Sequence, residues 1–142
     1  MGLFSKCMFT EVEGVVLLNG EPVEGAEVIS SYDWSNKDER KSKKLLTDSY
    51  GKFSFPEWSS KQFLSSILPM EPVIRQEIII EYKGERYTAW AFNKHSYGRG
   101  DETGKSPIKL VCDLAMEFKR HPLEGVSDKY YGICKLQEEQ VK

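Results

Sequence analysis

The stretch GVVLLNGEPVEGAEV (residues 14–28), followed by TDSYGKFSF (residues 47–55), decides the fold. Val12, Val16 and Leu18 share one parity with Gly14 between them, which is the two-residue period of a strand. Asn19 and Gly20 both tolerate positive φ and mark a tight turn. Pro22 cannot donate to a ladder, so it belongs at the start of the strand that follows. Ala26, Val28, Ser30, Tyr32 and Trp34 then alternate with Glu27, Ile29, Ser31 and Asp33, giving a second strand with one apolar-leaning face. A short strand is expected near Leu45–Thr47. Asp48 and Gly51 make the next turn: the carboxylate accepts backbone N–H groups and the glycine takes the left-handed conformation. Phe53 and Phe55 point one way from a short strand that Pro56 stops.

Outward from this stretch the readings are more varied. Residues 35–44 (SNKDERKSKK) read as a solvated, charged loop. Residues 58–69 read as a short helix over an open end of the sandwich. Ser59 and Gln62 match a capping box there, Trp58 and Phe63 a hydrophobic staple, and Pro69 a stop. Ile74 to Tyr82 and Arg86 to Phe92 form a hairpin about Lys83 and Gly84, with Trp90 and Phe92 on one face. Residues 93–106 are a long polar loop. Ile108, Leu110, Cys112, Leu114, Met116 and Phe118 share a parity, so 108–118 reads as one long half-buried strand or a bent strand pair. Tyr130, Tyr131 and Ile133 offer core material, and 136–142 should fray. Trp34, Trp58 and Trp90 read as core residues. No internal repeat or linker interrupts residues 1–142, which read as a single domain.

The chain has 142 residues, enough to bury roughly 70% of the unfolded surface without help from disulfides or metals. Its hydrophobic content of 39% is globular. Twenty basic and 22 acidic residues nearly cancel, and the one basic cluster, Lys37 to Lys44, also holds Asp38 and Glu39, so no nucleic-acid partner is expected. No apolar run is long enough to span a membrane. Lys6 stands where a myristoylation signal on Gly2 wants Ser or Thr, and no apolar stretch precedes Cys7. The chain is expected to be soluble and cytoplasmic by default, or periplasmic if a leader has been removed.

Catalytic signatures are not found. His95 lies in the polar loop and His121 beside Pro122, both as surface histidines, and there is no nucleophile elbow, HExxH or phosphate-cradling loop. No cofactor and no metal site are expected: Cys7, Cys112 and Cys134 lack ligand spacing, and Asp101 with Glu102 falls short of a calcium loop. Cys112 reads either as a buried small hydrophobe or as half of a Cys112–Cys134 disulfide. The bridge would close the C-terminal segment onto the sheet and point to an oxidising compartment.

The spacing Gly14-x-Val16, Asn19-Gly20-x-Pro22-Val23-x-Gly25-Ala26-x-Val28 and Thr47-Asp48-x-x-Gly51-x-Phe53-x-Phe55 resembles the carboxypeptidase regulatory-like domain family. The resemblance covers residues 12–56 and implies an all-β fold, an antiparallel transthyretin-like (prealbumin-like) β-sandwich of about seven strands, with the helix above added. It also suggests a stand-alone bacterial protein. Under it, Asn19, Gly20, Asp48 and Gly51 are turn residues with no chemical role. The hydroxyisourate hydrolase of the broader fold needs histidines, an arginine and a particular C-terminal tail that this chain does not match.

Function is therefore expected outside the motif, as non-catalytic protein binding. One version is an immunity or accessory protein that binds a toxin or effector of a bacterial secretion system. The alternative is a structural or carbohydrate-binding envelope module. Two loops are the expected recognition surfaces: Tyr97, Arg99, Asp101 and Glu102 in one, and Lys41, Lys43 and Lys44 in the other. Asp101 and Glu102 suit a basic partner, and the lysines suit an acidic one. The oligomeric state is left open.

Overall fold

A computed structural model describes residues 6–61, 71–123 and 129–137. The first strands are β1 (Lys6–Phe9), β2 (Val12–Leu18), β3 (Glu21–Pro22), β4 (Glu27–Trp34), β5 (Glu39–Leu46), β6 (Lys52–Phe55) and β7 (Trp58–Ser60). The chain continues through β8 (Ile74–Tyr82), β9 (Glu85–Lys94), β10 (Ile108–Asp113), β11 (Lys119–Pro122), β12 (Lys129–Gly132) and β13 (Lys135–Leu136). The fold is all-β, as expected. A five-stranded sheet ordered β13-β10-β2-β3, with β6 also paired to β2, faces a six-stranded sheet ordered β11-β12-β9-β8-β4-β5. β1 and β7 pair separately.

The motif explains its own strands. Val12 and Val16 of β2 are buried, and the Phe53 ring lies over Gly14, its cross-strand partner. A Cβ on Gly14 would stand 2.2 Å from the tip of that ring, so any other residue would have to displace it. Asn19 (φ 54°) and Gly20 (φ 85°) make the β2–β3 turn with positive φ at both central positions. Asp48 Oδ1 accepts the N–H groups of Tyr50 and Lys52, both at 2.9 Å. Gly51 (φ 76°) passes its carbonyl to the Val16 N–H at 2.7 Å. β4 alternates without a break: Val28, Ser30, Tyr32 and Trp34 face inward.

The core fills the space between the sheets. Val12, Val16, Phe53, Phe55, Ile108 and Leu110 come from one side, and Val28, Trp34, Ile78, Ile80, Trp90 and Tyr130 from the other. Trp34 and Trp90 are fully buried, as expected, and Trp58 is partly buried against the same cluster. The β8–β9 hairpin turns at Lys83 and Gly84, and a register irregularity after Ile78 leaves Trp90 and Phe92 inward.

Five expectations are corrected. Residues 39–44 are not loop: they belong to β5, which pairs with β4 from Glu27↔Leu46 to Trp34↔Glu39. An edge strand with polar residues on both faces carries no hydrophobic period, so pairing decided what the pattern concealed. Trp58–Ser60 is a strand on β1 instead of the first turn of a helix, while residues 62–69 of the expected helix lie outside the described residues. β10 runs parallel to β2, from Ile108↔Val12 to Asp113↔Leu17, in an otherwise antiparallel fold. The strand of 108–118 ends at Asp113 and its buried parity at Leu114, because the chain turns over Leu114–Met116 and its continuation, β11, joins the other sheet; Phe118 is 58% exposed. Finally, Leu136 does not fray, since β13 pairs with β10 and Gln137 N–H donates to Lys109 O at 2.8 Å; residues 138–142 lie outside the described residues. Among the described residues no helix is long and apolar enough to cross a membrane.

Candidate functional site

The polar loop after β9 is folded onto the protein by a buried network. β9 carries Lys94 into the interior, where Nζ donates to Gly98 O and lies 4.0 Å from the Glu102 carboxylate. Glu102 is fully buried. It accepts the Thr10 N–H at 2.9 Å, the Thr10 hydroxyl, and Gln76 Nε2 at 2.8 Å. Gln76 in turn donates to Met8 O at 3.0 Å and accepts the Trp90 indole N–H at 3.0 Å. Thr10 Oγ1 also accepts the Gly100 N–H at 2.7 Å. Among the described residues no buried side-chain nitrogen or oxygen is left without a partner. That completeness is what makes a buried Lys–Glu pair tolerable, since an uncompensated charge there would be costly.

The loop exterior is equally engaged. Arg99 forks onto the Glu11 carboxylate, which holds that carboxyl below its usual range, and lies 3.7 Å from Glu57. Tyr97 accepts the Trp34 indole N–H at 3.2 Å and meets its ring edge-on; burial pushes the phenol pKa up. Asp101 accepts from the Ser96 hydroxyl at 2.7 Å and the Gly98 N–H at 3.1 Å. Expected recognition residues thus serve as latches. Glu102 in particular is inaccessible to a partner, which corrects its assignment. Its chief partner, Thr10, is 92 residues away in sequence, so spacing could not reveal the contact. Lys94 and Gln76 did leave a signal: each is a polar residue on a buried strand parity, Gln76 between Ile74 and Ile78, and Lys94 after Trp90 and Phe92.

Cys7 lies beneath this network with Sγ 3.6 Å from Thr10 Oγ1, and burial pushes its thiol up to about 12, which disfavours the thiolate. His95 is at the surface, its Nδ1 3.1 Å from Pro72 O and 3.4 Å from the Glu71 carboxylate. His121 stacks on Tyr130 at 4.5 Å, and Tyr130 stacks on Trp90 at the same separation. Two shallow grooves lie elsewhere, one beside β5 around Ser31, Asp33, Arg40 and Arg75, and one at the β8–β9 turn around Tyr82 and Arg86. Among the described residues no group of His, Cys, Asp and Glu is placed to hold a metal.

β5 offers a different kind of surface. It is the edge of the six-stranded sheet, and residues 40–44 are all exposed. Arg40 is held by Asp33 at 3.3 Å and Asp38 at 3.0 Å, and Lys44 by Glu27 at 3.6 Å. Glu39 turns inward to the hydroxyls of Tyr32 and Ser60. Lys41 and Lys43 lie opposite Tyr32 and Ser30 on one face, and neither has an ion-pair partner among the described residues. The structure thus separates the two expected surfaces, and of their residues Lys41 and Lys43 have no ion-pair partner among the described residues.

The C-terminal segment is strapped across both sheets. Cys112 of β10 and Cys134 form a disulfide over a separation of 22 residues. Ile133 N–H donates to Thr88 O at 2.9 Å, and the Tyr130 hydroxyl donates to Cys134 O at 3.0 Å. Gly132 (φ 149°) passes so close to β9 that a Cβ would lie 2.1 Å from Ala89 O. Of the two readings of Cys112, the structure has the bridge.

Among known families, the model described as Domain of unknown function (DUF6795) matches residues 12–117, which run from β2 to just before β11. No curated protein and no solved structure matches the chain. With well over half of its length matched, the chain belongs to the DUF6795 family.

Proposed function

We propose that the protein is a non-catalytic, protein-binding sandwich that recognises an acidic partner through β5. The observation that carries this reading is the pair Lys41 and Lys43, exposed on one face of an edge strand and free of ion-pair partners among the described residues. Two unneutralised cations at strand spacing attract and orient an acidic surface, raising association rate and specificity. The narrower form is neutralisation of a toxin, or escort of an effector, in a bacterial secretion system. Kinship of the sandwich with carboxypeptidase regulatory-like domains belongs to the same proposal.

The test is capture of partners from the native lysate by tagged wild-type protein and by the Lys41→Glu/Lys43→Glu variant. A stoichiometric protein retained by the wild type at low salt, and lost both in the variant and at high salt, supports the reading. A partner retained equally by both proteins would reject β5 as the recognition surface.

A second reading is favoured by the Cys112–Cys134 disulfide. Such bridges persist in oxidising compartments, which supports an exported or envelope role, including carbohydrate binding. Mass spectrometry of protein taken from its native cells, with and without reductant, tests it. A fully reduced pair would return the protein to the cytoplasm, and retention on glycans without a protein partner would favour this reading over the first.

A further inference from the structure

We infer that the partner engages β5 by strand addition: an acidic, extended segment of another protein lengthens the six-stranded sheet along the β5 edge, which has no further strand beside it among the described residues. This rests on the reading of Lys41 and Lys43 given above and adds to it the backbone as the main docking element.

The edges of the described sheets are unequal. β11 has four residues and ends in Pro122, β13 has two, and β3 has two, one of them Pro22. β6 has four residues and meets Pro56, while β1 and β7 have four and three. Short length and proline are standard ways of disabling an edge. β5 has eight residues and no proline, and its ladder to β4 runs through eight successive pairs without a register shift. From Arg40 to Leu46 this regular edge has no ladder partner on its outer side among the described residues, so its N–H and C=O groups are open to any strand that can approach.

Charge decides which strand that is. Lysines on an edge ordinarily guard against self-pairing, and here a second copy would set Arg40, Lys41, Lys43 and Lys44 against the same four cations. The arrangement that excludes a second copy selects an acidic strand. It also assigns the faces: Arg40 and Lys44 are already neutralised on the outer face, whereas Lys41 and Lys43, on the other, have no ion-pair partner among the described residues. The added strand therefore carries its carboxylates at alternate positions, on the face of Lys41 and Lys43, with small or β-branched residues between them.

The probe is an eight-residue peptide alternating glutamate with threonine or valine, acetylated and amidated, added to the isotope-labelled full chain. Binding should slow hydrogen exchange at alternate amides of β5, and the Lys41→Glu/Lys43→Glu variant should bind at least tenfold more weakly. Two further peptides of the same charge carry N-methyl groups on odd or on even residues, which removes the backbone donors of one edge at a time. One of the two should lose at least tenfold in affinity while the other binds as before. If both N-methylated peptides bind like the parent while the lysine variant does not bind, the basic surface stands and strand addition is overturned. If the parent peptide does not bind, or binds the variant equally well, both readings fall. Sedimentation of the protein alone supplies the last arm: a dimer abolished by Lys41→Glu would assign the edge to a second copy and overturn the proposal.

Discussion

Replacing Glu102 by Ala removes the acceptor at the centre of the buried network. The Thr10 N–H, the Thr10 hydroxyl and Gln76 Nε2 would each lose a partner, and the Lys94 ammonium, 1% exposed, would keep only Gly98 O. Breaking a buried pair from one side costs about 3–5 kcal/mol because the remaining charge is uncompensated. Three orphaned donors could add about 1–3 kcal/mol each, but water entering the space left by the side chain offsets much of that. The expected loss is therefore about 3–5 kcal/mol, a large part of the roughly 5–15 kcal/mol that stabilises a domain. In a domain of this size it corresponds to a fall in Tm of roughly 6–20 °C. Urea titration followed by the fluorescence of buried Trp34 and Trp90 measures it, with the midpoint falling at unchanged slope. Lys94→Met in the Glu102→Ala background should cost at least about 1 kcal/mol less than Lys94→Met alone, since the charge it removes is already unpaired. A loss below about 1 kcal/mol for Glu102→Ala, or strict additivity in the double variant, would refute the view that this pair holds the loop.

Asp113 is pushed up by desolvation, but N–H groups of Ala115, Asn19 and Gly20 outweigh this and hold its carboxyl below the usual range. A folded-state value below the unfolded one contributes stability above the unfolded pKa, and that contribution is lost as pH falls through the folded value. Asp113→Ala should therefore cost about 0.5–1 kcal/mol at pH 7, solvent screening keeping the effect of this partly exposed carboxylate small, and its unfolding curve should approach that of the wild type as pH drops below about 3.9. Equal separation of the two curves at pH 7 and pH 2.5 would contradict it. Gly51→Ala combines a left-handed backbone with a Cβ 2.5 Å from Val16 O, whereas Gly84→Ala meets only the backbone penalty, with nothing within 4 Å. Thermal unfolding should find Gly51→Ala the more damaging by at least about 1 kcal/mol; the reverse order would mean that the β5–β6 turn can open. Opening the Cys112–Cys134 bridge releases a loop set by a separation of 22 residues, worth about 3 kcal/mol in chain entropy. Unfolding with and without dithiothreitol, and of Cys112→Ala/Cys134→Ala, should agree on that loss, and no loss in either would show that the strap is held by its packing alone.

Short-range rules made much of the fold legible. Asn19 with Gly20, and Asp48 with Gly51, specify turns because each residue supplies a conformation or a local acceptor that its neighbours cannot. β4 and the β8–β9 hairpin could be read because one face is buried, so the chain records the sheet's period in its polarity. β5 left no such record, since a charged edge exposes both faces and its strand state comes from β4 beside it. The same limit applied to Trp58–Ser60, whose partner β1 lies about fifty residues earlier, and to the parallel contact of β10 with β2.

For the candidate sites, sequence named the right residues more often than the right roles. Glu102 looked solvated because it is charged and lies in a Gly-rich loop; its burial depends on Thr10, Gln76 and Lys94 converging from three other places in the chain. Lys41 and Lys43 were legible as exposed cations, while their position on a long regular sheet edge was not. By itself the sequence determined the turns, the inward faces of the central strands and the all-β class, because these follow from local geometry and polarity period. Only the tertiary structure decided which charges are buried, which are neutralised and which edge stays open, because each depends on groups brought together from distant parts of the chain.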